Sequence, residues 1–149
     1  MNDIGIVQLD EFRKHRIAVL CLPGLESFLG DIIEYLKQDY SVKTCYSNNI
    51  KELEEVVNWA DLVWIEWANE LAIEVSNKIN VLEDKKVIVR LHSYEALSGF
   101  LTHIRWQVID TIIFVAKHIQ DIAIKQLPGL LNKDLNPPEM FVVPNGLRV

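Results

Sequence analysis

The chain has 149 residues, half of them apolar and 24% charged, which is the composition of a globular protein and about one domain's length. Lysine and arginine number 15 against 21 aspartates and glutamates, a net charge of −6. That balance argues against a nucleic-acid backbone or an anionic lipid surface as partner, and the apolar content excludes disorder. A membrane span needs about 20 uninterrupted apolar residues, and the clean runs at 17–22 and 111–116 are far shorter. The N-terminus places acids before its basic cluster and has no apolar stretch of its own, so it does not read as a signal peptide. A cytoplasmic location is the expectation.

Residues 1–15 fit no element well and read as a tail or an edge strand. From there six short apolar runs follow: 16–22 (RIAVLCL), 41–46 (SVKTCY), 61–66 (DLVWIE), 86–92 (KVIVRLH), 110–116 (DTIIFVA) and 140–144 (MFVVP). Most are continuous rather than alternating, as expected of strands buried on both faces. The gaps between them carry helical spacing. Leu29, Ile32, Ile33 and Leu36 form one stripe, and Ile50, Leu53 and Val57 a second. The second has Asn49 in N-cap position and Glu52 at the third helical residue, close to a capping box. Leu71, Val75, Ile79 and Leu82 form a third stripe, and Ile119, Ile122, Ala123 and Leu127 a later one that Pro128-Gly129 ends. Residues 128–139, with three prolines, read as a loop. Alternating strands and helices imply an α/β domain, a doubly wound, mainly parallel Rossmann-like sheet with helices on both faces. That domain is expected over residues 16–144. Cys21 and Cys45 read as reduced core thiols, with a disulfide open only if their strands pair; no metal-ligand spacing occurs.

In an open parallel sheet, ligands bind beyond the carboxyl ends of the strands. The rule nominates Pro23, Gly24, Leu25, Glu26 and Ser27 after the first run, Glu66, Trp67, Ala68 and Asn69 after the third, His92, Ser93, Tyr94 and Glu95 after the fourth, Lys117 with His118 after the fifth, and Asn145 with Gly146 after the last. The first loop lacks the glycine pattern of a dinucleotide site and there is no P-loop. Gly24 still allows close approach of a backbone to a ligand, or is a plain turn residue. His92 closes an apolar strand, where an imidazole donates to a sugar or phosphate oxygen, or else caps a helix or lies in a buried hydrogen bond. Glu66 beside Trp64 and Trp67 suits sugar hydroxyls with indoles as stacking surfaces; the alternative makes the tryptophans core. Trp59 and Trp106 read as packing residues. Lys117 at a helix start opposes the helix dipole and gains from an anionic ligand, or is a solvated charge. No nucleophile–base set assembles from the residue types.

The last third carries a resemblance. Residues 110–119 (DTIIFVAKHI), then about twenty residues, then 141–147 (FVVPNGL) resemble the end of the N-terminal domain of GT-B glycosyltransferases, most of all the retaining glycosyltransferase family 4. Residues 87–92 (VIVRLH) resemble that family's fourth strand with its terminal histidine, and Pro23-Gly24 stands where its acceptor-side loop lies. The resemblance spans about residues 16–149. It implies that His92 approaches the donor sugar at the reaction centre, that Gly24 lies near donor phosphates and acceptor, and that Asn145 and Gly146, in a linker over 145–149, are a hinge. Ala116 stands where the family has serine, and Leu147-Arg148 where it has Val-Asp.

The implied activity is that of a hexosyltransferase, moving a sugar from a nucleotide-sugar to an acceptor hydroxyl, on a sugar or lipid-linked acceptor, with no metal or cofactor. In that family the nucleotide-sugar sits mainly on a C-terminal domain. This chain is therefore expected to be an acceptor-side half, inactive alone. The competing expectations are a non-catalytic Rossmann-like binding module and a subunit that completes a two-chain transferase.

Overall fold

The structure is a computed structural model that describes residues 14–131 and 137–144. Six parallel strands form one sheet: β1 (Arg16–Cys21), β2 (Ser41–Tyr46), β3 (Leu62–Glu66), β4 (Lys86–Leu91), β5 (Thr111–Phe114) and β6 (Glu139–Val142), in the order β2-β1-β3-β4-β5-β6. All six apolar runs hold strands: the second matches its run, four are trimmed by one to three residues, and β6 is shifted, starting at Glu139 in the stretch expected to be loop and ending at Val142. Five α-helices connect them: α1 (Gly30–Leu36), α2 (Ile50–Trp59), α3 (Glu70–Lys78), α4 (Tyr94–Leu97) and α5 (Lys117–Gln126). The domain is the α/β, doubly wound Rossmann-like sheet that the alternation implies.

Local chemistry sets the helix boundaries. Asn49 Oδ1 accepts from the backbone N–H groups of Lys51 and Glu52 at 3.0 and 3.3 Å, so α2 starts where the cap dictates. Asn69 caps α3 in the same way, accepting from Leu71 N–H at 3.1 Å. The third apolar stripe is not one helix. Helix α3 ends at Lys78, Ile79 turns extended, and Leu82 reaches the same core from a 3₁₀ turn over Asn80–Asp84. Between β4 and β5 the helix is reduced to the single turn α4, followed by two 3₁₀ turns at Phe100–His103 and Trp106–Val108. Residues 132–136 of the expected loop, and residues 1–13 of the expected tail, lie outside the described residues, while Pro128–Leu131 form a 3₁₀ turn.

The direction of each crossover distributes the helices. The step from β1 to β2 runs one way along the sheet, and all later steps run the other way, so right-handed connections place α1 alone on one face and α2 to α5 on the opposite face. The larger core lies under α2 to α5, with Ala18, Leu20, Val63, Ile65, Val87, Val89, Leu91, Ile112 and Phe114 facing Leu53, Val57, Leu71, Val75, Ile119 and Ala123. The smaller one lies under α1: Ile17, Val19 and Cys21 against Leu29 and Ile33. On that same face β3 to β6 present Leu62, Trp64, Ile88, Ile113 and the 51%-exposed Phe141, with no further helix over them among the described residues. An apolar groove of about 400 Å³ opens there beside α1, lined by Leu36, Tyr40, Leu62, Trp64 and Ile88 among others.

Two aspartates staple the amino edge. Asp61 Oδ2 accepts from Arg16 N–H at 2.9 Å, and Asp110 Oδ2 from Val87 N–H at 2.8 Å. Trp59 and Trp106 are the packing residues expected, both half-buried against the larger core. Arg16 and Lys43 rest over the Trp59 ring, and the Trp106 indole donates to Leu101 O.

Both cysteines are free. Their strands are neighbours, but Cys21 pairs with Tyr46 and Cys45 with Leu20. Successive side chains alternate across a strand, so the two thiols project from opposite faces and cannot bridge. Burial pushes the Cys21 thiol up to about 12, helped by Glu66 and Glu26 and partly offset by Arg90. Cys45 is raised too, by burial and Glu52, but is only half-buried. In the folded protein a maleimide is expected to modify Cys45 well ahead of Cys21; equal rates would contradict this packing.

Candidate functional site

Strand order reverses between β1 and β3: the chain leaves β1 toward β2 and leaves β3 toward β4. A crevice forms at the carboxyl ends of such a pair. At that edge the sheet places an unusual group of polar side chains. Glu66 is fully buried at the end of β3, and Arg90 faces it in register on β4. Arg90 Nε donates to Glu66 Oε1 at 2.7 Å. His92, just past β4 and 4% exposed, has Nε2 at 2.5 Å from the same oxygen. The other carboxylate oxygen, Oε2, accepts from Trp64 Nε1 at 3.2 Å.

This set explains the state of Glu66. Burial alone pushes the carboxyl up. The hydrogen bonds from His92 and Arg90 and their attraction outweigh it, and the group ends below the ordinary carboxylate range. An ionised Glu66 accepting at His92 Nε2 fixes the ring's orientation and, in the neutral imidazole, assigns the proton to that nitrogen.

Trp67 roofs the cluster. Its ring stacks on His92 with centroids 3.7 Å apart and planes 21° off parallel, and Tyr94 lies tilted against it at 5.3 Å. Its indole N–H donates to Leu25 O at 3.0 Å, tying the loop after β3 to the loop after β1 across the point of reversal. The Trp67 backbone has φ +75°, the left-handed region that a bulky residue seldom adopts, at a cost of about 1–3 kcal/mol. Strain of this kind persists where the surroundings over-determine it. Here they do: Trp67 N–H donates to Arg90 O at 2.9 Å, the indole to Leu25 O, and the ring packs on His92.

The remaining candidates divide. Gly24 holds φ +88° in the turn after β1, a conformation that glycine supplies without strain, and Pro23 beside it is exposed. Leu25 joins the site through its carbonyl. The Tyr94 hydroxyl accepts from Asn69 Nδ2 at 3.0 Å. Ser93 is exposed and its hydroxyl makes no cap bond to α4. Lys117 pairs with Asp121 on its own helix, its ammonium 2.5 Å from Oδ1, and the side chain is 71% exposed. Asn145 and Gly146 lie outside the described residues.

One contributor was not singled out from the sequence, and three stood in the nominated loops with no role assigned to them. Arg90 sat inside an apolar run. Asn69 caps α3 and orients Tyr94. Glu95, fully buried, accepts with one oxygen from Ala68 N–H at 3.1 Å and His92 N–H at 2.8 Å, stapling the two loops together. Glu26, in a 3₁₀ turn before α1, bears on Cys21 together with Glu66 and Arg90. The available signal was a charged residue within an otherwise apolar strand, which needs a buried partner.

Among the described residues no group of three or more His, Cys, Asp or Glu is gathered to hold a metal ion, and no helix is long and apolar enough to cross a membrane. Neither a family model nor a curated protein nor a solved structure significantly matches the chain.

Glu66→Gln is expected to destabilise the protein by about 3–5 kcal/mol at neutral pH, because Arg90 loses its buried counter-charge. A carboxyl held below its ordinary 4.5 contributes stability that is present above that value and is lost as pH falls through the lower folded value. Wild type should therefore weaken on that acid limb, and Glu66→Gln should lack this part of the dependence in a pH series of chemical denaturations.

Proposed function

We propose that the chain is the acceptor-side domain of a glycosyltransferase that moves a sugar from a nucleotide-sugar to an acceptor hydroxyl. The observation that carries the reading is the Glu66–Arg90–His92 cluster under Trp67, at the carboxyl ends of β3 and β4 and bridged to the loop after β1. A flat aromatic surface beside an ionised carboxylate and oriented N–H donors is the set that sugar hydroxyls require. The order of the 87–92, 110–119 and 141–147 motifs supports the same class.

In this reading His92 works at the reacting centre, meeting oxygen charge as the sugar leaves its phosphate. Glu66 keeps the imidazole in one orientation. Arg90 keeps Glu66 ionised. Trp67 and Tyr94 wall the site, and Glu95 sets the spacing of the two loops. A second domain closing over this edge would exclude water and bring donor and acceptor together. The nucleotide-sugar would be held mainly by that domain, the acceptor by this one.

The test uses the protein expressed from its whole reading frame, incubated with the common nucleotide-sugars and a panel of glycan and lipid-linked acceptors. Nucleoside diphosphate release that depends on acceptor is expected. His92→Gln keeps an N–H donor for Glu66 but loses the ring under Trp67, so a lowered melting temperature with the protein still folded is expected while turnover falls at least about 100-fold. Unchanged turnover in that variant, or no transfer from any donor, would sink the reading. His92→Ala is a poorer probe, since it also leaves Glu66 short of a partner and costs stability.

A further inference from the structure

On the face that α1 only partly covers, Ile17, Leu36, Tyr40, Leu62, Trp64 and Ile88 line the apolar groove of about 400 Å³. Leu36, Leu62, Trp64 and Ile88 are only half-buried and Tyr40 is exposed, although side chains of these types usually find more cover. A contiguous apolar hollow on a folded domain marks a place where something binds. The chain itself arrives at the mouth of this one. His15 lines the groove together with Ile17. The His15 carbonyl accepts from Ser41 N–H at 2.9 Å, and Arg16 N–H donates to Asp61 Oδ2 at 2.9 Å, so the start of β1 is held at the groove's rim. All of the chain that precedes Lys14 therefore sets out from that rim.

We infer that residues 1–13 of this chain occupy the groove, with Phe12 and Leu9 as the apolar anchors. Within those residues the sequence carries Ile4, Ile6, Val7, Leu9 and Phe12. A chain reaches at most about 3.3–3.6 Å per residue. Phe12, three residues before His15, thus reaches about 10 Å from it, and Leu9, six residues before, about 20 Å. The groove crosses β1, β3 and β4, which is two strand spacings or about 10 Å. Phe12 can enter it and Leu9 can cross it. Seating both takes two large side chains and the groove wall out of water. Lys86, exposed at the rim, is opposite in charge to Asp10 and Glu11; an exposed pairing of this kind sets register more than it adds affinity. The tether decides between occupants. A segment joined at the rim is present at about millimolar effective concentration, so against a second copy at micromolar concentration it is favoured on the order of a thousandfold. Trp64 lines the groove and also donates to Glu66 Oε2 at 3.2 Å, so the seated segment shields one member of the carboxyl-edge cluster from water. Nothing in this packing depends on sugar transfer.

The experiment replaces Phe12 in the whole chain with the photoreactive p-benzoylphenylalanine and irradiates the protein at micromolar concentration. The expected product has the mass of a single chain, and its fragments join position 12 to residues 36–40, 61–64 or 86–88. A product of twice that mass would put a second copy in the groove and overturn the inference. Joining to any other part of the chain, or no joining at all, would overturn it too. In a parallel titration, Phe12→Ser should bind the apolar dye anilinonaphthalene sulfonate at least about tenfold more tightly than wild type, because the groove is vacated. Thermal melting checks that this variant folds. Equal dye affinity in the two folded proteins would show that Phe12 does not fill the groove.

Discussion

A carboxylate with no exposure to water sits at the end of β3, and the geometry of the carboxyl edge follows from how it is kept charged. Glu66 accepts from Arg90, His92 and Trp64, three residues delivered by two adjacent strands in register. Moving a lone carboxylate into that position would favour the neutral acid. With its donors in place it stays ionised, and it then dictates where the imidazole points. The imidazole in turn gives Trp67 its stacking surface. Trp67, drawn down onto it, closes the gap to the first loop through Leu25. Remove the charge at Glu66 and each later contact loses its reason for being where it is.

The sheet makes this possible because its two faces are unequally covered. Under α2 to α5, β1, β3, β4 and β5 are lined with apolar side chains. On the other face α1 covers β1 and its neighbours, while β3 and β4 carry Trp64, Glu66 and Arg90. A guanidinium and a carboxylate fit there since they are packed by indole and imidazole rings rather than by a helix. The site is therefore a product of topology: one reversal of strand order creates both the crevice and the partly bare face.

Much of the framework is legible along the chain. Short apolar runs, most of them continuous, marked every strand, and Asn49 marked the start of α2 to the residue, because these signals are local. The site was half legible. His92, Glu66 and Trp67 stand at strand ends, where the parallel-sheet rule looks. Arg90 escaped because it was absorbed into the otherwise apolar run 86–91, and only the register shows that it lies opposite Glu66. Glu95 stood in a nominated loop but its role did not show, because its partners, Ala68 and His92, come from separate loops. The short α4 region had no stripe to find, since 3₁₀ turns bury single residues such as Leu101 rather than a face.

The left-handed backbone at Trp67 sets stability and site architecture against each other. Glycine is the one residue that adopts φ +75° without penalty, so selection for thermal endurance alone would push this position toward glycine. Doing so would strip away the ring over His92 and the link to Leu25. A lineage that retains tryptophan here forgoes that easy gain in robustness. The position is thus a natural marker of which selective pressure has governed a given descendant of this chain: endurance, or the chemistry at the end of β3.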